Sequence, residues 1–472
     1  MTAGLARYSR RAYCVLTPMR RMLTTAAAAA LLASLALAAP AAAERKTHTL
    51  RFGPISVGKY AALKRSNDSA TPGVTGSIVA MDANLVDADG QVVPQSQVML
   101  HHLVYFDVGY EGAPRYDGTC PKKPAERFYG TSEELRPMTL PDGYGYPIDA
   151  QDRWRMAWMV MNHTSSARKV FIEAHVTTDD APGIAPVKPY WVSVVPCGAD
   201  PQYTVPGGRA PGTSHVKRIA WKVPLDGRIV AVGGHLHGGA RRIALGQPRC
   251  ANRTLVTSRP TYGPPDDPLY RVRPPLHEPD PRSISWWQSA TGVPVVAGEE
   301  LTVSSVYDAE RAHMRVMGID HVYVAPDAAA SRDCDPVPAD AVELGPDFEG
   351  GRAEPPPVKL TLAQLGGDGV AHPIDAPPGT TRSYERDASI RVGALAFRPS
   401  RVSIPAGGRV RWRYFDPVDH DATMVTGPQG FGAPWSRRGD SFTRRFDVPG
   451  TYRVYCSLHP ARMSQLIRVR AR

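Results

Sequence analysis

Four side chains near the C-terminus have the types and order that bind a single copper ion: His420, Cys456, His459 and Met463. A thiolate favours copper, two imidazoles complete a trigonal plane with it, and a thioether is a weak axial ligand that tunes the reduction potential. The predicted chemistry is one-electron transfer at a blue (type 1) copper centre. The alternative is a buried free cysteine beside unrelated histidines, but four ligand types in this order favour the metal centre.

The neighbouring segments predict how these ligands are brought together. Residues 452–455 read as a strand, so that Cys456, His459 and Met463 share the loop that follows it. His420 falls at the end of another predicted strand. A β-sandwich that joins these two strand ends would position all four ligands around one ion.

The C-terminal residues 386–472 resemble the cupredoxins of the plastocyanin and pseudoazurin type. The resemblance implies a Greek-key β-sandwich with type 1 copper bound by the four residues named above. The segments that carry it, besides the ligands, are Phe397-Arg-Pro399, residues 402–407, Val410-Arg-Trp412 and residues 446–452.

A second group of potential metal ligands lies in the middle of the chain. His101 and His102 are adjacent in a predicted strand, where neighbouring side chains point to opposite faces, so both can bind one metal only at a strand end or a bulge. His235 and His237 are flanked by glycines, and the His-x-His spacing puts both imidazoles on one face of a strand. Met317 precedes another predicted strand and adds a soft ligand.

In order and spacing, this second group resembles the copper type II, ascorbate-dependent monooxygenases, the family of the peptidylglycine and dopamine hydroxylases. The resemblance covers about residues 45–327 and implies two jelly-roll-like β-sandwiches, each with one copper. By position it assigns a first, electron-transferring copper to His101 and His102, and a second, oxygen-binding copper to His235, His237 and Met317.

The third ligand of the first copper differs from the family pattern. Methionines stand at the aligned strand positions, and the nearest histidine, His163, lies in the turn that follows. His163 is the predicted third ligand, with His175, Met159 or Met161 as alternatives. A thioether there would favour Cu(I) and raise the reduction potential.

The remaining candidates receive simpler interpretations. Gly233 stands where the peptide-hydroxylating members carry an arginine that binds a substrate carboxylate, which argues against a peptide with a C-terminal glycine as substrate. His313 and His321 flank Met317 and are expected to orient metal ligands. Four further histidines are expected at the surface: His48, His215, His277 and His372.

Length and turn content predict several all-β domains. The 472 residues contain 46 prolines and 42 glycines, and short β-branched runs such as Lys169–Ile172 and Leu301–Val306 are separated by turn clusters. The predicted fold is two jelly-roll-like β-sandwiches followed by a cupredoxin sandwich. The predicted divisions are a signal peptide at 1–43, sandwiches at 44–200 and 201–327, a Pro/Gly/Asp-rich linker at 328–385 with one short strand at 358–362, and the cupredoxin at 386–472.

The N-terminus and the cysteines indicate export. A basic segment, an Ala/Leu-rich run and Ala41–Ala43 form the pattern of a Sec or Tat signal, which predicts a secreted, periplasmic or cell-surface protein with no membrane span after its removal. Residues 1–43 hold five arginines and no acids, so the net charge of +11 falls to +6, and nucleic acid is not an expected partner. Four cysteines remain besides Cys14 and Cys456 and allow three pairings. We favour Cys120–Cys197 and Cys250–Cys334, which keep each bridge essentially within one part of the chain.

Two functions are compatible with these patterns. In the first, the cupredoxin passes electrons to a two-copper core that activates oxygen and hydroxylates a C–H bond. In the second, the protein is a non-catalytic electron-transfer or copper-binding protein whose hydroxylase-like domains are a scaffold. Both require copper and a redox partner protein or a small reductant, and the first also requires a small-molecule substrate.

Overall fold

The structure is a computed structural model that describes residues 45–198, 201–346 and 348–471. Buried and exposed residues alternate along many of its strands. In the strand Gly408–Tyr414, every second residue is buried and the three arginines between them are exposed. This period of two places one face of a strand in the core and the other in solvent. The regular elements of the described residues are strands apart from one short 3₁₀ turn, so the all-β prediction is confirmed.

The first sandwich contains two sheets, ordered β1-β10-β3-β8-β11 with β7 beside β3, and β2-β9-β4-β5 with β6 beside β4. Its apolar core includes buried side chains of both sheets. Its strands are β1 (Lys46–Val57), β2 (Ala62–Ser69), β3 (Gly76–Val86), β4 (Val98–Tyr110), β5 (Ala113–Pro114), β6 (Glu126–Ser132), β7 (Met138–Thr139), β8 (Tyr144–Ile148), β9 (Arg153–Asn162), β10 (Arg168–Asp179) and β11 (Ala185–Pro186).

The second sandwich contains the sheets β12-β23-β15-β20-β24 and β14-β21-β16-β17, with two short pairs, β13-β22 and β18-β19. The 3₁₀ turn, Pro268–Arg271, precedes β19. The strands are β12 (Lys188–Ser193), β13 (Tyr203–Val205), β14 (Ser214–Lys222), β15 (Gly227–Leu236), β16 (Ala240–Gln247), β17 (Arg253–Ser258), β18 (Pro260–Thr261), β19 (Ser283–Ile284), β20 (Trp286–Val295), β21 (Glu300–Asp308), β22 (His313–Val316), β23 (Gly318–Pro326) and β24 (Val342–Leu344).

The third sandwich contains the sheets β27-β30-β35-β34-β32 and β29-β28-β31-β33. A hairpin of β25 (Leu362–Leu365) and β26 (Ala371–Ile374) precedes it. The strands are β27 (Arg382–Ser383), β28 (Ala388–Gly393), β29 (Ala396–Arg398), β30 (Arg401–Pro405), β31 (Gly408–Tyr414), β32 (Thr423–Thr426), β33 (Ser441–Phe446), β34 (Gly450–Tyr455) and β35 (Ser464–Arg470).

The segment predicted as a linker pairs with its neighbours at several points. Strand β24 adds to the edge of β20, and the amide of Leu365 donates to the carbonyl of Ala461 at 3.0 Å. The short strand begins at Leu362, so the strand predicted at 358–362 is displaced toward the C-terminus. Strand β12, placed by sequence in the first sandwich, pairs with β23 of the second.

The three sandwiches share apolar contacts. The core of the third sandwich continues into buried side chains of the other two, among them Met99 and Met161 of the first and Leu276 of the second. The chain from Arg45 onward accordingly forms one compact unit. The sandwiches are held against one another by buried apolar surface, which removes water from the sites between them.

Covalent links follow the predicted pattern. Disulfides join Cys120 to Cys197 and Cys250 to Cys334, and Cys456 is a buried free thiol. Both predicted pairings are confirmed. The predicted signal peptide lies outside the described residues, and within them no helix has the length and apolar character needed to cross a membrane.

Candidate metal centres

Strand ends of the third sandwich bring the four predicted blue-copper ligands together. Cys456 follows β34 directly, His459 and Met463 lie in the loop before β35, and His420 precedes β32. The Cys456 Sγ atom lies 3.5 Å from Nδ1 of His459 and 3.9 Å from Nδ1 of His420. Met463 and Cys456 are fully buried. Three ligand atoms of different residues thus converge, and the backbone of Met463 is hydrogen-bonded to Cys456 and His459. Two imidazoles and a thiolate are donors that suit copper.

Hydrogen bonds around this group orient its ligands. Nε2 of His420 lies 2.9 Å from a carboxylate oxygen of Asp416, so its Nδ1 faces the sulfur. The amide of Asp421 donates to Cys456 Sγ at 3.5 Å. The Asp421 carboxylate in turn accepts from the amide of Ser457 at 2.7 Å, which ties the two ligand loops to each other.

The protonation states that burial favours for Cys456 and His459 are consistent with a bound cation. Burial raises the pKa of the Cys456 thiol above its ordinary value, so a thiolate there needs a compensating positive charge. Burial also lowers the pKa of His459 to about 4, which keeps its imidazole neutral and able to donate a lone pair.

A β-bulge places the adjacent histidines of β4 on the same side. The pairing of β4 with β9 shifts register between Leu100 and His102, which is the position of His101. As a result, the Nδ1 atoms of His101 and His102 lie 3.3 Å apart, although residues next to each other on a regular strand would point to opposite faces. The bulge that His101 and His102 would need in order to bind one metal together is therefore present.

The His-x-His segment ends strand β15 and is linked to Met317 through a buried tyrosine. The rings of His235 and His237 are 5.0 Å apart between centroids. The amide of His237 donates to the Tyr307 hydroxyl at 2.8 Å, and that hydroxyl donates to the carbonyl of Met317 at 2.5 Å. Tyr307 therefore fixes the spacing between the histidine segment and the methionine predicted to share its metal.

The structure adds a histidine that the sequence placed at the surface. His277 has only 18% of its side chain exposed, and its Nε2 lies 3.1 Å from Nε2 of His101. One ring nitrogen from each of His101, His237 and His277 lies within 4.8 Å of the others. The surface expectation for His277 was wrong, because its Pro-rich segment folds into the interior between the sandwiches.

The predicted third ligand, His163, is not part of this converging group. It is buried, and neither ring nitrogen has a hydrogen-bond partner among the described residues. Burial and the proximity of His277 lower the pKa of His163 to about 3. Of the alternatives, His175 is bound to Asp82 at 3.0 Å on another strand, whereas Met159 and Met161 line a cavity with His101.

Three buried carboxylates stand behind the central histidines. Nδ1 of His235 lies 3.2 Å from Glu134, Nδ1 of His237 lies 3.1 Å from Asp280, and Nδ1 of His277 lies 3.2 Å from Glu133. The three carboxylate side chains are at most 1% exposed. A carboxylate on one ring nitrogen fixes the tautomer and directs the other nitrogen toward a metal.

Burial keeps the central imidazoles neutral. It lowers the pKa of His102 to about 3 and holds the pKa values of His101 and His277 below the ordinary range. At His277, the Asp280 carboxylate opposes this effect without cancelling it. Burial also raises the pKa of Glu133 well above its usual value, with Asp280 adding to the effect. Neutral imidazoles backed by carboxylates in a dry site fit a bound cation.

Two cavities adjoin the histidines. One, of about 120 Å³, is lined by His102, His235, His237 and Met317 together with apolar side chains that include Trp191. The other, of about 50 Å³, has His101 and His277 on one side and residues of the third sandwich on the other. The first is a space for a small ligand beside the His-x-His segment, and the second separates the two metal centres.

Gly233 is explained by packing. A Cβ atom there would overlap the ring of Trp286 and the guanidinium of Arg136, so no side chain fits. His321, predicted to orient a ligand, stacks on Trp191 with centroids 4.0 Å apart, while His313 is bound to Glu278 at 2.9 Å. Glu278 adjoins His277 in the chain.

The signals that could have identified the central carboxylates are weak. Glu133 and Glu134 are two adjacent acids after a strand, and His277 and Asp280 lie three residues apart in a Pro-rich loop. No spacing rule relates these segments to β4 or β15, because they meet only in the folded chain.

Comparison with known proteins gives several partial similarities, although no protein-family model matches. The probable copper-dependent oxygenase M1 of Phoma sp. is 28% identical over 240 residues, which cover 49% of this chain and 56% of that protein. The probable copper-dependent oxygenase clz3 of Cochliobolus lunatus is 28% identical over 239 residues, covering 48% of this chain and 70% of that protein. This chain thus spans little more than half the length of the Phoma relative.

Smaller copper proteins match a shorter part. Amicyanin-alpha of Methylorubrum extorquens is 27% identical over 89 residues, which cover 18% of this chain and 69% of that protein. A solved purple cupredoxin of Nitrosopumilus maritimus is 32% identical and is covered completely by 18% of this chain, with a TM-score of 0.16. The arrangement of His420, Cys456 and His459 and the similarity to amicyanin-alpha both indicate copper.

The C-terminal part of the chain resembles cupredoxins. About half of the chain resembles probable copper-dependent oxygenases, and the cofactor indicated by both similarities is copper.

Substitutions in the cupredoxin test its four ligands. We expect Cys456→Ser to abolish the intense visible absorption of the copper-loaded protein, because the thiolate supplies that charge transfer. Met463→Leu should keep the colour and raise the reduction potential, since loss of the weak axial donor disfavours Cu(II). Absorption spectra and redox titration provide the measurements. Undiminished colour in Cys456→Ser would contradict the assignment.

Proposed function

We propose that this protein is a copper-dependent oxidoreductase in which the cupredoxin transfers electrons to copper bound by the central histidines, where oxygen is activated to hydroxylate a small substrate. The observation that carries the proposal is the convergence of the buried imidazoles of His101, His237 and His277. They lie beside cavities, one of which is also lined by residues of the cupredoxin. Copper bound there would supply one-electron chemistry with oxygen. The predicted ligand sets, His101, His102 and His163 for a first copper and His235, His237 and Met317 for a second, remain predictions. The proposal requires only that copper binds among the central histidines.

The overall reaction balances with an external reductant. Insertion of one oxygen atom into a C–H bond, with the other released as water, consumes O₂, two electrons and two protons. A single blue copper carries one electron at a time, so the cupredoxin would be reduced twice per turnover by a partner protein or a small reductant such as ascorbate.

The cavity of about 120 Å³ is the proposed substrate site. Its apolar walls include Val104, Phe106, Trp191 and Ile319, and the charged side chains of Lys64, Arg127 and Glu134 also line it. Apolar walls exclude water and favour an uncharged hydrocarbon or aryl group over a charged one. We therefore propose a small substrate with an apolar group that packs against these walls.

An electron route is proposed through Tyr455. This residue precedes Cys456 in the chain, and its buried hydroxyl donates to the carbonyl of Leu276 at 3.5 Å. Leu276 is covalently bonded to His277. The path from the cupredoxin sulfur to a central imidazole therefore consists of covalent bonds and one hydrogen bond.

Contacts that hold the cupredoxin in place support this route. Arg315, which lies in β22 of the second sandwich, donates to the Asp421 carboxylate at 3.1 Å and to the carbonyl of Ala433 at 3.0 Å. Its guanidinium also lies 4.2 Å from the ring centroid of Trp435. Because Asp421 binds the copper loop, this arginine fixes the cupredoxin ligands relative to the central site.

Export is proposed on two grounds. The N-terminal pattern is that of a signal peptide, and the two disulfides suit an oxidising compartment. The reductant would then be one available outside the cytoplasm.

Oxygen uptake tests the proposed activity. With copper loading verified and ascorbate as reductant, small alkyl and aryl compounds should increase oxygen consumption by the full chain. Met317→Leu should remove most of this substrate-dependent uptake, since a thioether donor is lost with little change in volume. An oxygen electrode with product analysis measures it.

The control is Met138→Leu, a similar exchange in the core of the first sandwich away from the cavities. It should retain uptake. Rapid reduction of the cupredoxin without any substrate-coupled uptake in the fully loaded protein would refute the hydroxylase proposal and favour the electron-transfer alternative.

Replacement of Tyr455 tests the electron route. Tyr455→Phe keeps the buried ring but removes the hydrogen bond to Leu276, so electron transfer from the cupredoxin to the central copper should slow several-fold. The measurement is the rate at which the blue colour returns after rapid photochemical reduction.

Tyr452→Phe is the matched control, because its hydroxyl on the same strand binds the carbonyl of Val448, away from the central site. It should leave the rate unchanged. Equal rates in Tyr455→Phe and the wild type would exclude this path.

A further inference from the structure

We propose that one copper ion is held jointly by His101 of the first sandwich and by His237 and His277 of the second, so that His277, not His163, completes this site. The inference rests on the proposed function in taking copper as the metal. It differs from the predicted arrangement in that a single ion would take ligands from both sandwiches.

The positions of the ring nitrogens carry the proposal. Nε2 of His101 and Nε2 of His277 face each other at 3.1 Å, and a ring nitrogen of His237 lies within 4.8 Å of both. Two neutral imidazoles can direct lone pairs at the same point only if a proton or a cation lies between them. Three nitrogens converging there favour a metal ion, which accepts three lone pairs at once.

The carboxylates determine which nitrogens are available. Nδ1 of His277 lies 3.2 Å from Glu133, and Nδ1 of His237 lies 3.1 Å from Asp280. The Asp280 carboxylate stabilises a proton on Nδ1 of His237, which leaves Nε2 of that ring as the donor toward the shared point. Nε2 of His277 is directed at the shared point by its 3.1 Å approach to Nε2 of His101. Asp280, whose side chain is 1% exposed, also places negative charge where a cation would compensate it.

The choice of metal follows from the ligands and their surroundings. Imidazole donors suit copper, zinc, iron and nickel, but the thioethers of Met159 and Met161 line the same small cavity as His101 and His277. Soft thioethers next to the imidazoles favour copper, and Cu(I) in particular. The electron route through Leu276 also ends at His277, one of the three ligands.

His163 lacks these features. Its ring is buried, but among the described residues its nitrogens are not part of the group that converges with His101 and His237. Replacement of His277 is therefore expected to remove a copper ion, whereas replacement of His163 is not.

Copper stoichiometry of the full chain tests the inference, with Cu(I) under reducing conditions as the probe. His277→Ala should bind one equivalent less than the wild type and keep the blue colour after oxidation, which also reports correct folding of the cupredoxin. His163→Ala and the exposed His372→Ala should keep the full complement. In the double variant His101→Ala/His277→Ala, the loss should be no larger than in either single variant, because both would remove the same ion.

His277→Gln provides a second variant if His277→Ala does not fold, since glutamine preserves most of the volume and a polar group beside Glu133 but offers no imidazole. It should lose the same equivalent. Full copper binding in the His277 variants, or loss of the ion in His163→Ala instead, would overturn the inference while leaving the proposed function intact. A wild-type protein that binds copper only at the cupredoxin would contradict both.

Discussion

Carboxyl groups buried among neutral imidazoles are the constraint on which the central architecture depends. Glu133, Glu134 and Asp280 are withdrawn from water where the first two sandwiches meet, and each faces a histidine ring nitrogen. Isolated buried carboxylates destabilise a fold by several kcal/mol unless hydrogen bonds or a cation compensate them. A metal ion bound by the other ring nitrogens would supply that compensation, so metal binding and the packing of the sandwiches are expected to stabilise each other.

The same principle joins the cupredoxin to the rest of the chain. Asp421 is fully buried beside Cys456 and receives hydrogen bonds from its own ligand loops and from Arg315 of the second sandwich. One carboxylate thereby orients the blue-copper ligands and fixes the domain against the central site. The short covalent and hydrogen-bonded path through Tyr455 is a consequence of this fixed contact.

Local patterns in the sequence predicted the fold class and the candidate cupredoxin ligands, of which the structure brings His420, Cys456 and His459 together. The disulfide pairings were predicted from the expected division of the chain. The candidate cupredoxin ligands share one loop and one strand end, so their spacing along the chain reflects their spacing in space. The bulge that turns His101 and His102 to one side was identified only as a requirement. His277 and its carboxylate Glu133 were missed, because they are far apart along the chain and only tertiary packing brings them within 3.2 Å. The domain divisions and the ligand sets of the central copper remain predictions.

Anomalous X-ray diffraction at the copper edge from crystals of the copper-loaded full chain tests the central claim most directly. The account predicts one anomalous peak among His420, Cys456, His459 and Met463, and another at the point where His101, His237 and His277 converge. A peak at the cupredoxin alone, with the central histidines ordered and free of metal after loading with excess copper, would contradict it.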